Sequence, residues 1–307
     1  MKKEIKMALT LLEAAKLNSG DVYRQGVLER FAETSDILRV LPFTGIQGNS
    51  LKYNVEETLP GIGFRGVNES YTESTGIINP QVESLTIAGG DLDVDKFIVD
   101  TMGEDQRAVQ EGMKIKALSL SWTKTFIKGD NSTEPREFDG LQVRLTGDAL
   151  ILNHATGAGL SLAKLDEAID AVDGATHIIM SKSVRRRLTV AARTAAVGGN
   201  ITYSLDEFGR QVTAYNDIPI LIADKDNENN EILGYTETNT TTSVYIVAMG
   251  DGMVSGLENG GMDVRDIGEL ETKPAFRTRV EWYSGMGVFA PRSAARLSKI
   301  TDAAATA

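Results

Sequence analysis

The stretch from Phe43 to Asn79 constrains this chain most: it is rich in glycine, poor in large apolar residues, and too long for an ordinary connection. Upstream in it, "SLKYNVEET" alternates Leu51, Tyr53 and Val55 against Lys52, Asn54 and Glu56, the period of a strand with one apolar edge. Downstream, "VNESYTESTGIINP" has no 3.6-residue stripe and predicts a second extended segment. The two make a long β-hairpin that cannot bury its own apolar edge and must lay it on something else.

Between these arms, "LPGIGFRG" holds a complete G-x-G-x-x-G at Gly61, Gly63 and Gly66. That string binds a dinucleotide only where a strand enters the turn and a helix leaves it, because the helix N-terminus supplies the N–H groups for the pyrophosphate. No helix is predicted to leave here, and the entering strand is half polar. The other reading is a hairpin tip whose glycines supply positive φ and whose Pro60 presets a turn.

With 307 residues, 41% hydrophobic and 24% charged, the chain can bury a core in one large or two ordinary domains. A net charge of -11 disfavours nucleic-acid binding by the chain as a whole. No cysteine is present, so disulfides, thiolate catalysis and cysteine metal sites are excluded, as expected of a reducing compartment. Met7 to Leu12 is too short for a signal segment, and no run reaches membrane-spanning length, so no membrane partner is expected.

Along the chain, Thr10 and Glu13 form a capping box for a short helix, and Tyr23, Val27 and Phe31 share one face of a second that ends at "TSD". "VESLTIAGGDLDVDKFIVDT" predicts two strands. Met102 to Lys128 is the longest helical candidate, about 40 Å at 1.5 Å per residue, with Leu118, Trp122 and Phe126 on one face. Beyond "DNSTEPREFDG", helices with Leu162, Leu165, Ile169 and Val172, and with Val184, Leu188, Ala191 and Ala195, alternate with the apolar strands "ATHIIMS", "DIPILIAD" and "SVYIVAM", which implies an α/β domain. Late in the chain, Phe276, Thr278, Val280 and Trp282 alternate with Arg277, Arg279 and Glu281 as one long strand.

Chemistry has little local support. His177 lies within an apolar strand and His154 in a glycine-rich loop. Asp91, Asp93 and Asp95, and again Asp224, Asp226 and Glu228, open like calcium loops but lack the glycine and the closing glutamate, which predicts exposed polar turns. Arg185, Arg186 and Arg187 with Lys182 and Arg193 form a basic cluster, either a solvated helix face or a seat for an acidic neighbour. No cofactor or metal site is assigned.

The order of parts, with "FDGLQVRL" after the long helix and the closing "RTRVEWYSGMGVFAPRSAARL", resembles the major capsid proteins of tailed bacteriophages, whose Hong Kong 97 fold encapsulins share. The resemblance covers nearly the whole chain and implies an α+β fold. Residues 1–42 would be the N-arm, 43–79 the E-loop, 80–136 with 262–288 the peripheral domain around a spine helix, 137–261 with 289–300 the axial domain, and 301–307 a flexible tail.

It also implies a structural protein, not an enzyme, that assembles with itself into hexamers and pentamers of an icosahedral phage head in the host cytoplasm. Packaged double-stranded DNA would lie within it by non-specific proximity, and portal and head accessory proteins would attach. No charged helical segment precedes the N-arm, so a scaffolding protein is expected to be separate or already removed. Leu51, Lys52, Tyr53, Ile62, Phe64 and Arg65 of the hairpin, Lys273, Arg277 and Arg279 of the late strand, and Arg186 are the expected contacts between subunits. Nothing marks a cross-linking partner for Lys52. An encapsulin-like compartment, and a nucleotide enzyme using Gly61, Gly63 and Gly66, are the alternatives.

Overall fold

The computed structural model describes residues 35–102, 105–193, 201–205 and 211–306. The capping box of Thr10 and Glu13, the helix face of Tyr23, Val27 and Phe31, and Ala195 lie outside them. The described chain begins with a helix that the sequence reading missed, α1 (Asp36–Val40). Its Ile37 and Leu38, with Leu41 just beyond, are fully buried, so the end of the expected N-arm is part of the core. Thr123 secures its entry, donating its hydroxyl to Ser35 Oγ at 2.9 Å.

Three sheets follow. β1 (Phe43–Gly45), β4 (Thr86–Asp95), β11 (Val254–Glu269) and β12 (Ala275–Val288) form a four-stranded sheet in the order β1-β11-β12-β4. β2 (Ser50–Thr58) and β3 (Ile77–Ser84) form a two-stranded ribbon. β5 (Leu150–Leu152), β6 (His177–Met180), β7 (Ile201–Leu205), β8 (Gln211–Tyr215), β9 (Ile218–Ile222), β10 (Thr242–Val247) and β13 (Ala294–Ile300) form a mixed seven-stranded sheet ordered β5-β13-β10-β6-β9-β8-β7.

The helices hold one difference from the expected elements. "FIVDT" was expected as strand, but it lies in α2 (Lys96–Met102), which starts as soon as the alternation of β4 ends. The long helix is α3 (Asp105–Lys128), about 36 Å by its rise per residue. Its Trp122 and Phe126 are buried, as their spacing predicts, while Leu118 of the same face is only half-buried and Ile115 is buried as well. A short α4 (Leu141–Arg144) follows, and α5 (Leu162–Asp170) and α6 (Lys182–Ala191) come from the α/β half.

Strand β10 explains the layering. All six of its residues are buried, the signature of a central strand covered on both faces. Tyr245 and Val247 face one core with Ile37, Trp122, Phe126 and Trp282; Val244 and Ile246 face another with Leu165, Leu188 and Leu297. The first core lies between the two larger sheets and holds an aromatic cluster: Phe43 lies 5.6 Å from Trp122 and 5.3 Å from Trp282, centroid to centroid. Gly256 makes this possible, because a Cβ there would lie 2.3 Å from the Phe43 ring. Residues 43–45 therefore belong to the four-stranded sheet, and the projecting hairpin starts only at Ser50.

Candidate assembly surface

The ribbon and its tip carry the most exposed apolar side chains among the described residues, although Ile87, Phe97 and Met113 of the body are exposed too. Its register places Leu51 opposite Glu83, Lys52 opposite Val82 and Tyr53 opposite Gln81. Beyond the strands, Ile62 is 93% exposed, Phe64 104% and Val67 93%, with Leu59 and Tyr71 also exposed. Lys52 and Arg65 are exposed and Leu51 is half-buried. Arg65 stacks over the Tyr71 ring at 5.2 Å and donates to the Glu69 carbonyl at 3.1 Å, so the tip has internal structure.

The glycine string sits in that tip. No helix follows it: residues 59–76 are irregular with one turn. The strand-turn-helix geometry of a dinucleotide site is therefore missing at Gly61, Gly63 and Gly66. The expectation of positive φ fails too. The left-handed residue of the tip is Asn68, at φ 69°, and none of the three glycines adopts that region. Gly61 instead donates its N–H to Ser74 Oγ at 2.5 Å, and Gly66 to Glu69 Oε2 at 2.8 Å.

Tyr53, one of the expected subunit contacts, is half-buried against its own chain. Its ring meets Phe289 edge-on at 4.7 Å, and its hydroxyl lies 3.1 Å from Glu83 Oε1 and 3.2 Å from the Val288 carbonyl. Burial first, and the adjacent Glu83 carboxylate second, push its phenol up to about 12.

The basic strand has likewise found its carboxylates at home. Arg277 sits directly opposite Asp93, and Arg279 opposite Asp91, across the β12–β4 ladder. Arg277 donates to both oxygens of Asp93 at 2.6 and 2.8 Å, and Arg279 to both oxygens of Asp91 at 2.7 and 2.9 Å. Lys273 reaches Asp93 at 2.5 Å. These hydrogen bonds hold both aspartates below the usual carboxylate range. The neighbouring subunit that the sequence reading invoked for these cations is not needed to neutralise them. Nor do Asp91 and Asp93 open a turn; they are strand residues occupied by guanidinium.

The second acidic run differs as well. Asp226 was expected in an exposed turn, yet it is buried, taking Lys124 Nζ at 3.0 Å and the N–H groups of Glu228 and Asn230 at 3.0 and 2.8 Å. On α6, Arg187 pairs with Asp302 at 2.9 Å and Lys182 with Asp224, while Arg186 remains exposed. His154 is exposed and His177 half-buried beside Thr176. Among the described residues no group of three His, Asp or Glu could hold a metal, and no helix is long and apolar enough to cross a membrane.

No protein-family model matches the chain, and a search of curated proteins returns no match. Solved structures do match along most of its length. The encapsulin of the holo-SrpI complex from Synechococcus elongatus PCC 7942 superposes with a TM-score of 0.65 at 15% identity, over 88% of this chain and 89% of that one. The capsid of the native GTA particle gives 0.61 at 13% identity, over 87% and 91%. A chain of Mycobacterium phage Bobi gives 0.58 at 11% identity, over 89% and 91%. The chain thus has the Hong Kong 97-type capsid fold, an α+β architecture.

Proposed function

We propose that this chain is a structural shell subunit, the major capsid protein of a tailed bacteriophage head. Ile62, Phe64 and Val67, almost wholly exposed at the end of a projecting ribbon on a capsid fold, carry this reading. Burying two such side chains against an adjacent subunit would contribute about 3–6 kcal/mol, and ordering the tip takes back part of it. Each contact is weak, and a shell gains its stability by repetition. Heterologous contacts that close by rotation give rings, here hexamers and pentamers of an icosahedral head. Lys52, Arg65 and Arg186 add exposed cations to the contact surface. The chain's net charge of -11 suits a wall against which packaged DNA lies without adhering. A scaffolding protein, portal and head accessory proteins would complete the particle, assembled in the host cytoplasm.

A second reading, an encapsulin-like compartment, draws on the TM-score of 0.65 with an encapsulin against 0.58 with the phage chain. Electron microscopy of purified protein tests both. Closed shells or capsomer rings are expected, and nucleic acid or guest protein in particles from the native source separates the two readings. Replacing Glu57 to Gly66 by a short Gly-Ser linker should leave near-normal circular dichroism and no stable shells. Normal shells from that variant, or compact monomers alone from the parent at high concentration and with scaffold, would overturn the proposal.

A further inference from the structure

The β2–β3 ribbon shares no ladder with either larger sheet. It joins the body through two short connections: Gly48, at φ 100°, just before β2, and Leu85 between β3 and β4, whose N–H donates to the Asn49 carbonyl at 2.8 Å. A two-stranded ribbon held by two backbone connections can pivot as a unit, so the side chains at its base decide its angle.

Those side chains converge on Glu83. Arg144, at the end of α4, grips both of its carboxylate oxygens, Nη2 to Oε2 at 2.6 Å and Nη1 to Oε1 in close contact. A third nitrogen, Nε, donates to the Asp139 carbonyl at 2.7 Å and aims the guanidinium at the ribbon. The Arg144 and Glu83 side chains are only 18% and 13% exposed, so the pair is shielded from water and each charge depends on the other. Tyr53, from the partner strand of the ribbon, closes the arrangement: its hydroxyl faces Glu83 and the Val288 carbonyl, and its ring rests on Phe289. The planar fork of an arginine fixes direction as well as distance. One joint thus gathers residues from four separate stretches of the chain.

We propose that the Arg144–Glu83–Tyr53 contact is a latch that sets the angle at which the hairpin leaves the body, with Arg144 as the positioning residue. Its consequence rests on the shell reading: if the hairpin lies on the next subunit, its angle sets the curvature at which subunits add. The latch itself can be tested without a shell.

The chain contains no cysteine, so Ser70→Cys in the tip and Ala163→Cys on α5 accept a clean pair of spin labels. Pulsed electron paramagnetic resonance on dilute, unassembled full-length subunits then reads the distance between hairpin and body. The parent should give one narrow distribution. Arg144→Gln should broaden and shift it, Tyr53→Phe should broaden it less, and the exchanged pair Glu83→Arg with Arg144→Glu should restore a narrow one. Superimposable distributions for parent and Arg144→Gln would overturn the proposal, as would an exchanged pair that stays broad despite a normal melting temperature. Should Arg144→Gln fail to fold, a Tyr53→Phe distribution identical to the parent's overturns it equally. In assembly, Arg144→Gln should give shells of mixed diameter. A parent that forms no shells would refute the functional reading while leaving the distance measurement decisive for the latch.

Discussion

The strands of the seven-stranded sheet run largely apolar, those of the β2–β3 ribbon are mostly polar, and the two regions use their apolar residues in opposite ways. Strand β10 buries every residue, feeding alternate side chains to two cores. The ribbon leaves Ile77, Ile78 and Val82 exposed along β3, and Ile62 and Phe64 exposed beyond it. A sheet covered on both faces has spent its hydrophobic surface on its own stability. A ribbon with no layer above it leaves that surface open, and in the proposed shell a neighbouring subunit would cover it. The same substitution should therefore have different effects in the two regions.

The largest effect is expected at Trp282, fully buried against Phe43 and Trp122. Trp282→Ala should cost about 3–5 kcal/mol in urea denaturation, by lost contacts and the cavity left behind. Acid comes next and again strikes the body. Asp91 and Asp93, beside Arg279 and Arg277, and Asp226, beside Lys124, are all held below the ordinary carboxylate range. A depressed folded-state value means stability that is complete above the unfolded value, near pH 4, and is lost as pH falls through the folded one. Melting temperature should fall below about pH 4, and Asp91→Asn with Asp93→Asn should flatten that fall.

Ile246→Val removes one methylene from the second core and should cost about 0.5–1.5 kcal/mol, read from the urea midpoint at unchanged slope. Phe64→Ala, at the other extreme, should change subunit stability by less than about 0.5 kcal/mol. Light scattering of the same variant should nevertheless show weakened assembly. A Phe64→Ala protein that unfolds as readily as Trp282→Ala would erase the contrast between the two regions.

Much of this was legible in local pattern. The continuous apolar run of β10, the alternation of Thr278, Val280 and Trp282, and the stripe of Trp122 and Phe126 each gave an element and its inward face. Helix α1 escapes such a reading because its five residues, starting at the aspartate of "TSD", carry too little period, although Ile37, Leu38 and Leu41 have helical spacing. Helix α2 reads as strand in sequence because "KFIVDT" is rich in β-branched residues, and that pattern hides the cap at Asp95, whose carboxylate accepts the Phe97 N–H at 2.8 Å. At the candidate assembly surface, the exposure of Ile62 and Phe64 follows from a segment too poor in apolar residues to cover itself. The inward turn of Tyr53 did not, because its alternation marks it as apolar-edge without saying what that edge meets.

The sequence by itself determined periods and deficits: which stretches alternate, which run apolar, and which hairpin could not be self-sufficient. These are properties of neighbouring residues, and the chain carries them before it folds. The tertiary structure alone decided the pairings. Arg277 and Asp93 lie 184 residues apart, and Arg144 and Glu83 lie 61 apart. An arginine looks the same in sequence whether its carboxylate lies on its own sheet or on a neighbour. Which of the chain's 43 acidic residues it meets is fixed only when strand register and layer packing bring two distant backbones within a few ångströms.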